Sequence, residues 1–313
     1  MSELRQALED YIAVRRSLGF DLRLPARSLR NFVSFVEANE ATYITRELAV
    51  RWAKQPDSAQ PATWAWHLGM VRRFASWRSA TDPRTEVPPE GLMPYRYYRK
   101  PPYIYSDDEI ERLIAAASEL PSSNGLRARS FSTLFGLLSV TGMRVSEALM
   151  LDHEDVDLEQ GTLTIRRTKF GKSRFVPVHS STRDVLKRYD ELRVRVFPRP
   201  ATPAFFVSER GNRITEWSAR YTFAKISQQI GLRAAAKGHG RGPRIHDMRH
   251  RFAAHTLIEW YRAGVDVERE LPKLATYLGH VHVNETYWYL EAVPELLQLV
   301  TQRLMKQAKE VGS

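Results

Sequence analysis

The chain has 313 residues, of which 43% are hydrophobic and 27% charged, which suffices for a sizeable core and favours two domains, with one large domain as the alternative. Lysine and arginine total 47 against 36 aspartate and glutamate, a net charge of +11. This excess attracts a polyanion such as nucleic acid, although charge alone is equally compatible with a merely basic soluble protein. The absence of cysteine excludes disulfides, thiol catalysis and thiolate metal sites.

Residues 1–82 are predicted to form a bundle of four helices. The clearest of them has an apolar face with the i, i+3, i+4, i+7 spacing of a helix, formed by Leu29, Phe32, Val33 and Val36. Thr45 is a candidate cap for a short helix further along the chain. On the outer face of the last helix we expect three basic residues, which are either a solvated face or phosphate contacts: Arg72, Arg73 and Arg78.

Residues 83–105 are predicted to form an extended, semi-rigid linker. Six of the twenty residues from 83 to 102 are proline, which breaks helices. Basic and aromatic residues alternate near its end, where Arg99 and Lys100 are either exposed linker residues or contacts to a phosphate backbone. Ser106 and Glu109 have the spacing of a capping box, so we expect a second domain at 106–313.

The second domain is predicted to be mainly α-helical with one small β-hairpin. Residues 162–168 and 173–178 are rich in β-branched side chains and alternate in polarity, and a short turn with one glycine separates them. A basic, glycine-rich loop follows at 234–244. The chain ends in an amphipathic helix from Pro294, which packs on its own domain or docks into a neighbouring protomer.

Four segments carry candidate catalytic side chains, and each has an ordinary structural alternative. Arg144 and Glu147 lie three residues apart on a predicted helix, where a surface ion pair is the simplest interpretation. However, Arg144 follows an apolar run, and a guanidinium at the edge of a core suits a phosphate. Lys169 in the hairpin turn is either an exposed lysine or a mobile proton donor.

The third and fourth segments contribute histidines and a tyrosine cluster. His246 and Arg249 share one helix face, and histidine exchanges protons near neutral pH. Because Arg249 would repel a cation beside His246, we do not expect a metal site. The sequence also contains no GxxxxGK(S/T) phosphate loop, and we expect no cofactor. His280 follows Gly279, a predicted helix terminus. The cluster around Tyr289 is either core packing or the source of a nucleophile.

Taken in order, these segments resemble the tyrosine recombinase (phage integrase) family. TGMRVSEAL resembles its first arginine motif, TKFGKSRFVPV its β2–β3 segment, HDMRH its His-x-x-Arg box, and LGH its final histidine motif. LPKLATYLGH and TYWYL also resemble integrases of transposons and other mobile elements. The catalytic residues that the resemblance implies, with Glu147 as a supporting acid, are Arg144, Lys169, His246, Arg249, His280 and Tyr289. Further candidate DNA contacts in the hairpin and the basic loop are Lys172, Arg174, Lys237 and Arg241.

The resemblance also implies a role for each catalytic group. The two arginines would neutralise the phosphate, and Tyr289 would form a 3′-phosphotyrosyl bond. Lys169 would protonate the departing 5′ oxygen, His246 would take or return the tyrosine proton, and His280 would hydrogen-bond the phosphate. Spacing from His280 selects Tyr289 as the nucleophile, and Tyr287 is then predicted to pack.

The implied protein is a site-specific recombinase with a helical core-binding domain and a catalytic domain. Its partners would be double-stranded DNA with specific sites and three further copies in a synaptic tetramer, alone or with other recombinases of one mobile element. No apolar run approaches the roughly 20 residues of a membrane span, so we expect a cytoplasmic, nucleoid-associated protein. The alternatives are a type IB topoisomerase and a catalytically inactive DNA-binding accessory protein.

Overall fold

The computed structural model describes residues 2–56, 59–95, 101–166, 173–234 and 242–311. The chain divides into two compact units, Met1–Lys100 and Pro101–Ser313, called here the first and second units. The described residues form thirteen α-helices and one three-stranded antiparallel sheet. The predicted fold class, mainly helical with a small sheet, is confirmed.

The first unit contains the four predicted helices, which are α1 (Glu3–Ser17), α2 (Arg23–Ala38), α3 (Arg46–Lys54) and α4 (Pro61–Arg78). The side chain of Ser2 accepts a hydrogen bond from the backbone of Arg5 and thereby caps α1. Thr45 caps α3 in the same way, as its sequence position predicted, by accepting from the backbone of Leu48. The apolar faces of the four helices meet in one core.

Residues 83–95 belong to the first unit and pack against its helices, so the prediction that the linker begins at residue 83 is wrong. Met93 is buried in the core of this unit. The backbone amide of Glu86 donates to the carbonyl of Ile44 at 2.8 Å, and the Glu86 carboxylate accepts from the backbone amide of Arg46 at 2.8 Å. These partners fix the segment, although its prolines keep it out of a helix.

The second unit begins with the predicted Ser106–Glu109 capping box at the start of its first helix. Its helices are α5 (Asp107–Ser118), α6 (Leu126–Thr141), α7 (Val145–Met150), α8 (Ser180–Val196), α9 (Glu216–Gln229), α10 (Asp247–Arg262), α11 (Val267–Leu278), α12 (Asn284–Ala292) and α13 (Pro294–Val311). Most residues of α6 are buried. That helix is therefore the centre of the main core, against which α5, α8 and α10 pack.

The sheet of the second unit consists of β1 (Val156–Asp157), β2 (Thr162–Ile165) and β3 (Arg174–Pro177), paired in that order. Leu163 of β2 is opposite Val176 of β3, and both side chains are buried. The two strands of the predicted hairpin are therefore confirmed. The two-residue strand β1 was not predicted, and the hairpin turn lies outside the described residues.

The last four helices, α10 to α13, enclose a second core within this unit. The first turn of α13 packs on its own chain, since Leu296 is fully buried there and Glu295 accepts from Arg262 at 2.8 Å. Further along α13, Arg303 donates to the carbonyl of Val265 at 2.7 Å. Of the two predicted alternatives, this structure has the helix on its own domain. Within the described ranges, no helix has the length and apolarity that crossing a membrane requires.

Candidate active site

The C-terminus of α11 holds three arginines together. The last carbonyls of a helix have no partner inside it and carry partial negative charge, so cationic donors suit them. Three consecutive carbonyl oxygens each accept from a different arginine: Tyr277 from Arg174 Nε at 2.8 Å, Leu278 from Arg249 Nη2 at 2.7 Å, and Gly279 from Arg144 Nη2 at 3.1 Å. Side chains from β3, α10 and the start of α7 thus converge on one helix end.

Two glycines permit this close approach. Gly142 has φ +60° at the end of α6, and a β-carbon there would lie 2.6 Å from a ring carbon of Phe252. Its carbonyl accepts from Arg249 Nη1 at 2.9 Å. Gly279 has φ +69°, and a β-carbon there would lie 2.8 Å from Nη1 of Arg174. Any other residue at either position would be strained. At Gly142 its side chain would also press against Phe252, and at Gly279 it would displace the guanidinium of Arg174.

Glu147 joins two of these arginines. Its carboxylate accepts from Arg144 Nη1 at 2.8 Å and from Arg174 Nη2 at 2.7 Å, and it also accepts from the backbone amide of Arg144. Burial alone would raise the pKa of Glu147, but the hydrogen bonds and charge of Arg174, together with the bonds from Arg144, lower this pKa to about 2. Glu147 is therefore ionised at neutral pH and fixes both guanidinium groups.

This carboxylate makes a pH-dependent contribution to stability. Its pKa in the folded state lies below the ordinary 4.5, so its ionisation stabilises the fold above about pH 4.5, and this stabilisation is lost as the pH falls toward 2. We expect Glu147→Gln to reduce the free energy of unfolding strongly at pH 7 and much less near pH 3, as measured by urea denaturation. The exposed Glu191→Gln serves as the control, and a Glu147→Gln deficit that stays constant with pH would contradict the ion-pair account.

The arginine cluster has a net positive charge. Arg249 is buried, and its burial, reinforced by the charge of Arg144, lowers its pKa to about 10, while Tyr289 and Glu147 oppose the shift. Arg249 thus remains protonated at neutral pH. Three guanidinium groups against one carboxylate leave two positive charges, which suit a phosphate anion. Among the described residues, no three histidine, aspartate or glutamate side chains are grouped so that they could hold a metal ion.

Tyr289 and Tyr287 lie on opposite faces of α12, as their spacing predicted. Tyr287 was predicted to pack, but its side chain is 42% exposed, so that prediction is wrong. Tyr289, in contrast, is only 1% exposed. The Tyr289 hydroxyl lies 2.9 Å from Nδ1 of His250. His250 directly follows Arg249 on α10, so this contact brings the phenol to the helix that carries Arg249.

The two predicted histidines flank this cluster. His246 precedes α10 and is exposed, yet the protein atoms around its ring and the charge of Arg249 lower its pKa to about 4. His246 is therefore neutral at pH 7. His280 is half-buried, and its Nδ1 lies 2.7 Å from the hydroxyl of Thr286, a fully buried residue.

Sequence reasoning missed three residues of this site. Arg174 was predicted only as a DNA contact, although it shares a strand face with buried Val176, and that alternation was the available signal. His250 was not singled out, although it lies four residues after His246 and therefore on the same helix face. Thr286 had no signal in the sequence, because its role depends on the loop that brings His280 to it.

The candidate DNA contacts of the first unit fall into different environments. Arg72 is half-buried and donates to the carbonyls of Pro88 and Pro89, both at 2.7 Å. It therefore holds the proline-rich segment against α4. Arg73 is exposed on the same helix, as both predicted alternatives, a solvated face and a phosphate contact, require.

Arg78 does not lie on an outer face, and that prediction is wrong. Its side chain is buried and pairs with Glu3 at 2.6 Å and with Asp82 at 3.4 Å, because a buried guanidinium requires compensating charge. Arg78 therefore joins α1 to the end of α4. The remaining predicted contacts and the predicted proton donor lie outside the described residues: Arg99, Lys100, Lys169, Lys172, Lys237 and Arg241.

Comparison with known proteins identifies the family of the chain. The phage integrase family model matches residues 104–295, and the chain belongs to this family of tyrosine recombinases, which are DNA strand-transferring enzymes. The family resemblance predicted from the motifs is confirmed.

Several individual proteins are similar to most of this chain. It is 50% identical over 311 residues to a putative integrase/recombinase of Sinorhizobium fredii, y4rB, with 98% of each chain covered. It is 30% identical over 247 residues to the tyrosine recombinase XerD of Neisseria meningitidis serogroup B, covering 79% of this chain and 78% of the relative. The Tn1549 transposon integrase in complex with transposon right end DNA has the same fold, with a TM-score of 0.63 and 15% identity over 97% of this chain and 100% of that one.

Proposed function

We propose that this recombinase cuts and rejoins specific DNA sites through a 3′-phosphotyrosyl bond to Tyr289, in the service of a mobile element. The observation that carries the proposal is the convergence of Arg144 and Arg249 on the end of α11, together with the contact between the buried phenol of Tyr289 and His250, the residue after Arg249. The likeness to an integrase/recombinase and to a transposon integrase supports the mobile-element role.

Cleavage at a phosphodiester places a nucleophile next to an anionic centre, so catalysis depends on positioning and charge stabilisation. The Tyr289 oxygen would form a bond to phosphorus while the bond from phosphorus to the 5′ oxygen breaks. Arg144 and Arg249 would neutralise the non-bridging oxygens, and Lys169 would protonate the leaving 5′ oxygen. The phosphotyrosyl bond retains the energy of the phosphodiester, so rejoining needs no nucleotide.

Two further features of the proposed reaction are access to the buried nucleophile and the number of copies on DNA. Because Tyr289 is almost fully buried in the core of α10 to α13, a phosphate reaches its hydroxyl only when α12 or the side chains packed around the phenol move. Exchange between two duplexes requires four strand cuts, so we propose a homotetramer on synapsed DNA, alone or with other recombinases of the same element. Double-stranded DNA is the partner, and the protein acts at the nucleoid.

A nicked duplex substrate tests the proposal. The nick lets the short 5′-hydroxyl strand diffuse away after cleavage, so the covalent adduct accumulates. We expect such an adduct with duplexes tiled across the DNA that flanks the gene, detected as a denaturant-resistant band. A catalytically inactive accessory protein would give no adduct at any duplex. A type IB topoisomerase would relax supercoiled DNA without a requirement for partner sites.

DNA affinity should depend steeply on salt. Each phosphate that the protein neutralises releases counterions, and the slope of log K against log salt is about −0.9 per phosphate. We expect a strongly negative slope in fluorescence anisotropy titrations, consistent with the net charge of +11. A flat response would contradict the electrostatic part of the proposal.

A further inference from the structure

The hydroxyl of Tyr289 has a basic partner inside the protein. Nδ1 of His250 lies 2.9 Å from this oxygen, and both residues are buried. Water therefore competes little for the hydrogen bond, which strengthens it. A group within hydrogen-bond reach of the reacting oxygen meets the first, geometric requirement for a general base.

The arrangement of α10 gives its two histidines different surroundings. His246 is accessible to solvent, and its ring packs edge to face against that of His250 with 4.9 Å between centroids. His250 lies deeper, where its ring also contacts that of Trp288, at 5.5 Å between centroids. His246 thus suits contact with an incoming phosphate, whereas His250 contacts the nucleophile. The proton-accepting role that the family resemblance implies for His246 therefore fits the position of His250 instead.

We propose that His250 accepts the phenolic proton of Tyr289 during cleavage and returns it during rejoining, a role that rests on the proposed phosphotyrosyl chemistry. As the bond from the tyrosine oxygen to phosphorus forms, the proton passes to Nδ1. The 5′ oxygen leaves with a proton from a separate acid, the role proposed above for Lys169. In the reverse step the 5′-hydroxyl returns its proton to that separate acid as it attacks phosphorus. The bond from phosphorus to the tyrosine oxygen breaks, and this oxygen recovers its proton from the His250 imidazolium. Nδ1 must then be unprotonated at rest, with the ring proton on Nε2.

The competing role for His250 is a latch that only holds the phenol in its buried position. The two roles predict different effects of losing His250 on the rate of covalent attack. Loss of a base slows covalent attack, whereas loss of a latch leaves attack unchanged or accelerates it. Loss of a merely structural histidine lowers stability without changing how the rate depends on the acidity of the phenol.

His250→Asn is the discriminating variant, because an asparagine keeps a polar group near the Nδ1 position and cannot act as a base at neutral pH. We expect the single-turnover rate of adduct formation on the nicked flanking-DNA duplex to fall by about 10²–10⁴-fold, with unchanged DNA affinity. His250→Gln provides a second replacement without a base. His255→Asn, at an exposed position on the same helix, is the matched control and should react at the wild-type rate.

Replacing Tyr289 by 3-fluorotyrosine separates proton acceptance from the other roles. This phenol is more acidic and depends less on a base, so we expect it to recover part of the rate lost in His250→Asn. A substrate with sulfur in place of the 5′ oxygen, whose leaving group needs no proton, should not recover that rate. Recovery by the sulfur substrate, or a rate in His250→Asn at or above wild type, would overturn the proposal.

A readout without DNA keeps the two proposals distinguishable. The fluorine resonance of 3-fluorotyrosine at position 289 should shift in His250→Asn and not in His255→Asn. If wild-type protein forms no adduct, the proposed function fails, whatever this resonance shows. If wild-type protein forms adduct and both His250 variants match its rate, only the role of His250 fails. An unshifted resonance in a folded His250→Asn variant would overturn the contact itself.

Discussion

Tyr289→Phe is expected to abolish the covalent protein–DNA adduct while DNA affinity stays essentially unchanged. The ring of Tyr289 is buried in the core of α10 to α13, and phenylalanine fills the same space. The substitution removes only the hydroxyl, together with its contact to His250. The fold and the DNA-binding surface should therefore survive, whereas the nucleophilic oxygen is lost. Denaturing gels of the nicked-duplex reaction measure the adduct, and anisotropy measures the affinity.

Tyr287→Phe is the matched control for this variant. Tyr287 lies two residues away on the opposite, exposed face of α12, so its hydroxyl should be dispensable and the adduct should form at the wild-type rate. An adduct that persists in Tyr289→Phe but disappears in Tyr287→Phe would show that the nucleophile has been wrongly assigned.

Arg249→Lys is expected to have the second-largest effect, with a much larger loss of cleavage than of DNA affinity. The guanidinium bridges the carbonyls of Gly142 and Leu278 and still has donors for a phosphate. A lysine keeps the charge but cannot reproduce that planar, multidentate geometry. Loss of one preorganised donor to a developing anion costs about 10²–10³-fold in rate, and we expect at least this reduction in the single-turnover rate.

Arg262→Lys provides the control for Arg249→Lys. Arg262 is exposed at the end of the same helix and pairs with Glu259 and Glu295, so this variant should cleave normally. Equal losses of cleavage and affinity in Arg249→Lys would identify Arg249 as a binding residue and contradict its transition-state role. Thermal melts of both variants exclude unfolding as the cause of a loss.

Features encoded within a few residues could be predicted from the sequence. The caps at Thr45 and Ser106 depend on neighbours three residues away, and the hairpin strands on alternation within each strand. The candidate catalytic residues were recognisable because their types and order match a family pattern. The choice of Tyr289 over Tyr287 followed from helical periodicity together with the spacing from His280.

Features that depend on contacts between distant segments could not be predicted. Arg78 pairs with Glu3, 75 positions earlier in the chain, so nothing near it indicated burial. The three carbonyls at the end of α11 accept from arginines on separate elements, an arrangement that exists only in the folded chain. Arg174 was assigned to the surface because its partner Glu147 lies 27 positions away. In each case packing decided the role of a charged side chain whose type alone suggested exposure.

The identity of the residue bonded to DNA tests the central claim most directly. Trypsin digestion of the adduct should release residues 274–303 as one peptide, since no lysine or arginine lies within it before residue 303. Tandem mass spectrometry should locate the nucleotide on Tyr289, attached through a 3′ phosphate. A nucleotide on Tyr277 or Tyr287, attachment through a 5′ phosphate, or cleaved DNA with no attached peptide would contradict the account.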